Sequence, residues 1–226
     1  MAKTGMVITI GRQYGSGGHV VGKLLAEKLE IPYYDKSLLS EASRDSGISE
    51  ELFENHDEKP TRSLLYSLVT GIQSRPDPAG MYLDMPLNHR IFLAQFDTIR
   101  RIASEGPCVL VGRCADYVLR DRPDVINVFI RADMEHRVAR AIERGDDPLH
   151  AEDIIRREDK RRASYYNYYA TGTWGDVNNY DLCIDSSKLG YEECANLLVS
   201  YVAVRERLLR AASSRLAPKG PAEEGR

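Results

Sequence analysis

Residues 6–30 constrain this chain more than any other stretch. Met6 to Ile10 is a short, apolar, β-branched run, the composition of a buried strand. It ends in Gly11, Gly15, Gly17 and Gly18, with Arg12, Gln13, Tyr14 and Ser16 between them. An amphipathic helix follows, with Val21, Leu24 or Leu25, and Leu29 on one side and Lys23, Glu27 and Lys28 on the other. A strand, a glycine-rich loop and a helix in this order build an anion cradle. Small residues let successive backbone N–H groups converge, and the helix N-terminus adds partial positive charge. A nucleotide phosphate is expected over Gly15 to His19.

The strict phosphate-loop pattern, G-x-x-x-x-G-K-S/T, is absent. Placing Gly18 at its second glycine puts His19 where the lysine belongs and Val20 where the magnesium-binding hydroxyl belongs. A plain tight turn is the bland alternative, and four glycines within eight residues argue against it.

At 226 residues the chain can bury a full core, and a net charge of −3 argues against a broad nucleic-acid-binding surface. Cys108, Cys114, Cys183 and Cys194 are far apart and form no C-x-x-C pair, so reduced thiols are expected, without a zinc site or disulfide framework. With no signal peptide and no run of membrane-spanning length, a cytoplasmic protein without a membrane partner is expected.

Ile31 to Tyr34 reads as a second strand ending at Asp35, followed by helices from Lys36 and from Ser49. Residues 57–86, with Pro60, Pro76, Pro78 and Pro86, break the rhythm and read as a mobile helical insertion. A long helix over about 87–104 leads to strands at 108–111 and 125–130. Asp133 is a fair N-cap for the helix carrying Arg137, Arg140 and Arg144. A basic helix from about Ala151 holds Arg156, Arg157, Lys160, Arg161 and Arg162, then runs into four tyrosines and Trp174, which read as packing more than as base stacking. A last strand (180–184), a last helix (191–211) and a Pro- and Glu-rich disordered tail from Ser213 complete the chain. Five strands alternating with helices predict an α/β fold with a five-stranded parallel sheet covered on both faces.

Ligands of such sheets bind beyond the carboxyl ends of the strands. Those ends carry Gly11 to Gly18, Asp35, Gly112-Arg113 with Asp116, Arg131 with Asp133, and Asp185-Ser186. Phosphate donors, arginines and carboxylates at one edge suit phosphoryl transfer, which depends on positioning and charge neutralisation.

These residues together resemble the P-loop nucleoside monophosphate kinases, specifically the cytidylate kinase-like branch. The resemblance rests on Ile8–Gly18, Tyr33-Tyr34-Asp35, Val109–Arg113, Val128–Ala132 with Glu135-His136-Arg137, Asp159-x-x-Arg162 and Tyr180–Asp185, in family order over nearly the whole chain. It implies a P-loop NTPase-type three-layer fold with residues 57–86 as acceptor-side insertion and residues 146–175 as an arginine-rich lid hinged near Gly145 and Gly172. It implies transfer of the γ-phosphoryl group of ATP, as its Mg2+ complex, to a nucleoside monophosphate, with CMP or dCMP favoured. Gly11, Gly15, Ser16, Gly17, Gly18 and His19 would then hold ATP. Asp35, Arg113, Asp116, Asp159 and Arg162 would hold the acceptor, and Arg137, Arg157 and Arg162 would neutralise the transferring charge. The chain departs from the family in its loop lysine and hydroxyl, and in Val111-Gly112-Arg113-Cys114, where an Asp-Gly-Arg-Asp cluster is typical. A regulatory nucleotide-binding module and a kinase of another small metabolite remain open.

Overall fold

A computed structural model of the chain describes residues 4–58 and 87–216. Five strands form one parallel sheet in the order β2-β3-β1-β4-β5: β1 Val7–Arg12, β2 Tyr33–Tyr34, β3 Val109–Val111, β4 Val125–Arg131 and β5 Leu182–Asp185. Strand β1 lies at the centre, with Ile8 opposite Val109 on one side and Ile126 on the other. The β1 strand runs past the expected Ile10, because Gly11 and Arg12 continue the ladder opposite Phe129 and Ile130.

Eight helices accompany the sheet among the described residues. They are α1 Gly18–Leu29, α2 Ser37–Ser46, α3 Glu50–His56, α4 Leu87–Glu105, α5 Ala115–Val118, α6 Met134–Glu143, α7 Ala151–Tyr169 and α8 Ser186–Leu216. The sheet is apolar on both faces, as a doubly covered parallel sheet requires. Ile8, Ile10, Val109, Val111, Ile126 and Val128 pack against Val21 and Leu25 of α1 and Leu198 and Val202 of α8. Val7, Leu110 and Val125 turn to the opposite face, onto Ile99 and Ile102 of α4 and Val118 of α5. Alternation of side chains along a strand assigns the two sets to different layers.

Two boundaries of the last helix differ from expectation. The last helix begins at Ser186 rather than Tyr191, with a break at Gly190 (φ 74°). It continues to Leu216, so residues 213–216 are helical rather than part of a tail. The four-residue α5, starting after Cys114 in the left-handed conformation (φ 56°), is too short to leave a periodic signal. Beyond Asp57 and Glu58, the expected insertion 57–86 lies outside the described residues, as does the tail from 217.

Candidate active site at the carboxyl edge of the sheet

The glycine loop joins β1 to α1 and is braced from below. Ser16 is fully buried, and its hydroxyl donates to the carbonyls of Gln13 (2.9 Å) and Ile130 (3.0 Å). Gln13 Oε1 accepts from the Ala132 amide, and Ser186 Oγ donates to the Ser16 carbonyl. Gly17 sits at φ 74°, where an added Cβ would fall inside the Tyr191 ring, so this position requires glycine twice over. Among the described residues the backbone N–H groups of Gly15, Gly17, Gly18 and His19 find no protein partner. Orphan donors at the first turn of a helix are the anion cradle expected from the sequence.

A cleft of about 400 Å³ opens over this loop. Arg12, Gly15, Gly17, Gly18, His19, Asp35, Arg113 and Arg162 line it, with Asp57, Glu58, Arg144 and Arg161. Strand ends bring Arg12 and Arg113 to the edge, and α7 lowers Arg162 onto them. Arg113, 2% exposed, forks onto Asp57 (Nε–Oδ1 3.1 Å, Nη2–Oδ2 3.0 Å) and reaches Asp35 Oδ1 at 3.4 Å. Glu58, 5% exposed, accepts from Arg12 Nη1 (2.7 Å), the Arg113 amide (3.2 Å) and Arg162 Nε (3.3 Å). Arg162 Nη1 also donates to the Arg12 carbonyl at 3.2 Å.

Burial alone would discharge such a cluster, and mutual pairing prevents it. Burial pushes the Glu58 carboxyl up, but Arg12, Arg162 and Arg113 together hold it far below the usual carboxylate range. Burial pulls Arg113 down, and Asp57, Glu58 and Asp35 raise it above its ordinary value. Arg12 follows the same logic through Glu58. Arg162 differs. Burial and the neighbouring Arg12 bring it down to about 10, despite Glu58 and Asp159.

A second knot fastens α7 to the loop. Asp159 accepts from the Tyr14 amide (2.7 Å) and pairs with Arg137 Nη2. Arg137 Nε donates to the Tyr14 carbonyl (2.7 Å), so both backbone polar groups of Tyr14 are held. Tyr14 Oη donates to Asp146 at 2.7 Å.

The expected site residues therefore separate. Gly15, Gly17, Gly18, His19, Asp35, Arg113 and Arg162 converge on the cleft. Ser16 faces down into the protein, and Gly11 lies within β1 beneath Phe129 and Tyr180. Asp159 and Arg162 do not meet on one partner, because Asp159 is committed to Arg137 and the loop. Asp116 accepts from Tyr166 (2.7 Å), where burial raises its carboxyl, and lines a second cavity with Gly11, Arg12, Arg113 and Arg162. Arg157 points to solvent, its side chain 70% exposed. Five positions from Arg162 on a helix of about 3.6 residues per turn, it falls on the other side. Sequence reading passed over Glu58 and Asp57 as ligand-cleft residues. They end a helix at a segment of irregular composition, where no periodicity aims a side chain.

His19 lines the cleft, and its ring is drawn below its ordinary pKa by burial and by Arg144, with Arg140 and Arg12 adding. Tyr165, Tyr166 and Tyr169 pack on Phe92 of α4, with Phe92 and Tyr169 stacked at 3.9 Å, whereas Tyr168 is 45% exposed and Tyr165, Tyr166 and Trp174 also line a cavity with Arg12, Arg113 and Arg162.

The cleft fits nucleotide phosphates, but its fit to magnesium is limited. Val20 offers no hydroxyl, and among the described residues no three His, Cys, Asp or Glu side chains gather to hold a metal. Magnesium in kinase sites binds chiefly through phosphate oxygens and water.

A sequence profile of the cytidylate kinase-like family matches residues 7–188, the span that holds the loop, the arginine cluster and α7. The chain belongs to the cytidylate kinase-like family. Curated relatives agree with that membership. A cytidylate kinase of Methanosarcina barkeri is 28% identical, over 85% of this chain and 94% of its own length. One from Methanocaldococcus jannaschii is 25% identical, over 87% and 97%. Among solved structures, an uncharacterized protein from Eubacterium ventriosum superposes with a TM-score of 0.66 at 31% identity, covering 88% of this chain and 98% of that one. A gluconokinase from Sinorhizobium meliloti shares the fold, with a TM-score of 0.51 at 14% identity and coverage of 93% and 99%. The fold is that of the P-loop kinases. No helix among the described residues is long and apolar enough to cross a membrane.

Proposed function

We propose that this chain transfers the γ-phosphoryl group of ATP to a nucleoside monophosphate, with CMP or dCMP as the favoured acceptor. The observation that carries the reading is one cleft with unpaired loop amides on one wall and three arginines on the other, Arg113 buried and Arg12 and Arg162 each 13% exposed. Phosphoryl transfer asks for donor phosphates held in place and for fixed positive charge around the moving group. The backbone N–H groups of Gly15 to His19 hold the donor. Arg113 and Arg162 hold the acceptor phosphate, and Arg162, reaching down from α7, also meets the charge in transit. Arginine suits this through its permanent charge and its fork of donors. Asp35 orients Arg113, while Arg137 and Asp159 position the loop. Helix α7 belongs to the segment 146–175 that serves as a lid and excludes water when both substrates are bound. The cytidine preference draws on the named activity of the curated relatives.

A coupled ADP-release assay over a panel of ribo- and deoxyribonucleoside monophosphates tests the proposal, with gluconate and shikimate as further acceptors. Turnover is expected to be highest with CMP or dCMP. Turnover only with a non-nucleotide acceptor would replace the acceptor. ATP binding without turnover would favour the regulatory reading, which the absent loop lysine and hydroxyl support.

His19 offers a separate test by pH. Its lowered pKa leaves the ring neutral in the free protein at neutral pH. Bound phosphate would raise that pKa, since an opposite charge favours the protonated form. The extra ATP affinity is then fully present below the free-protein pKa and fades as pH rises through the bound-state value. His19→Ala is expected to bind ATP within about twofold of the natural chain at pH 8, and more weakly only below about pH 6.5. The stability contribution has the opposite sign: a lowered folded pKa costs stability as pH falls below the unfolded value. Calorimetric titration at several pH values separates the two. Equal loss of affinity at every pH would mean that His19 acts through shape.

A further inference from the structure

Glu58 is placed oddly for a structural carboxylate. It follows the seven-residue helix α3, in a turn, at φ 48°, a left-handed conformation that is costly for a non-glycine residue. Yet its side chain reaches three arginines at once, Arg12, Arg113 and Arg162. Oε1 accepts from Arg12 Nη1 at 2.7 Å and from the Arg113 amide at 3.2 Å, and Oε2 from Arg162 Nε at 3.3 Å. These donors come from the end of β1, the end of β3 and α7, and converge on two oxygens as they would on a tetrahedral oxyanion. Gly112, at φ 77°, lets the carboxylate approach, since an added Cβ would overlap both Glu58 Oε1 and Arg12 Nη1.

Charge sharpens the point. Arg12, Arg113 and Arg162 face Glu58, Asp57 and Asp35, so the cluster is neutral as it stands. A phosphate dianion added to it would leave two buried negative charges uncompensated, which is costly. With Glu58 gone the same cluster carries one net positive charge and presents three free donors. Asp57 is the less displaceable carboxylate, because it takes both arms of the Arg113 fork. Arg162, brought down to about 10, is the arginine least satisfied by the present arrangement.

We propose that Arg12, Arg162 and the Arg113 amide form an oxyanion site for a phosphoryl group of the substrate, and that Glu58 fills this site in the free chain and is displaced when the substrate binds. This rests on reading the cleft as a phosphoryl-transfer site, and it adds Arg12 to the residues that touch the ligand. The carboxylate keeps the Arg12 and Arg162 side chains paired and the Arg113 amide satisfied while the site waits, and it competes with weakly bound anions.

Inorganic phosphate is the probe. Binding is measured by calorimetry on the natural chain, on Glu58→Gln and on Glu58→Gln combined with Arg162→Ala. Glu58→Gln keeps the side-chain shape and removes its charge, and is expected to bind phosphate at least tenfold more tightly. The double variant is expected to lose that gain. Unchanged or weaker binding by a folded Glu58→Gln would overturn the proposal, as would a gain that survives Arg162→Ala. Should the variant fail to fold, the natural chain is titrated with phosphate while arginine Nε–H and backbone amide resonances are followed. The Arg162 Nε and Glu58 amide signals are expected to move together with one dissociation constant. Arg162 shifting while Glu58 stays still, or no response from either, would overturn it. Turnover is no part of this measurement. Tightened phosphate binding in a chain that phosphorylates no monophosphate would sink the proposed acceptor and leave the displaced carboxylate standing.

Discussion

Arg137→Ala is expected to destabilise the chain by about 3 kcal/mol and to weaken ATP binding as well. Arg137 is 5% exposed, and its guanidinium is spent within the protein on Asp159 and on the Tyr14 carbonyl. Removing it leaves the Asp159 carboxylate with little compensation in a partly buried place and frees the glycine loop from α7. Asp159→Ala alone should cost less, because an arginine side chain reaches other acceptors. The double variant should be more stable than the sum of the two losses predicts, since the pair acts as a unit. Urea unfolding and ATP calorimetry on the four chains close the cycle. The sequence resemblance instead assigns Arg137 to the transferring charge. A variant that unfolds and binds ATP like the natural chain, with only kcat reduced, would return it to that role.

The second large effect is expected at Arg162. Arg162→Ala should lower turnover by at least about 10²–10³-fold, the scale seen when a donor aimed at developing charge is removed. Arg162→Lys should recover little, because a point charge cannot reproduce the contacts that Nε and Nη1 make together. Arg157→Ala should stay within about twofold of the natural chain, its side chain standing in solvent and meeting Glu158 at 3.7 Å. Steady-state kinetics with the favoured monophosphate measures all three. Equal losses at Arg157 and Arg162 would mean that α7 rotates in the closed complex and that the cluster described above is not the reacting one.

Much of this molecule was decided locally, and for local reasons. The runs Met6–Ile10 and Val125–Ile130 are buried on both faces, so an apolar, β-branched composition suffices to mark them. Gly15, Gly17 and the start of α1 lie next to one another in the chain, and their orphan amides follow from helix geometry alone. The expected N-cap Asp133 accepts from the His136 amide at 2.9 Å for the same reason. Strand ends share one edge in any parallel sheet, which brings Asp35 and Arg113 to the loop without knowledge of their contacts.

Which side chain pairs with which was left to the tertiary structure. Asp159 and Arg162 sit three apart on α7, and spacing says only that they share a face. Arg137, 22 positions away in sequence, takes the first, and Glu58, 104 positions away, takes the second. Ser16 is equally ambiguous in sequence, since a loop hydroxyl can face a ligand or a carbonyl, and the Ile130 carbonyl of β4 settles it. The sequence by itself determined the sheet, the loop and the edge at which charge collects, because each depends on short-range pattern and on a rule of chain topology. Only the tertiary structure decided which charges cancel. A buried ion needs a partner within a few ångströms, and nothing in the linear order of residues says which partner will arrive.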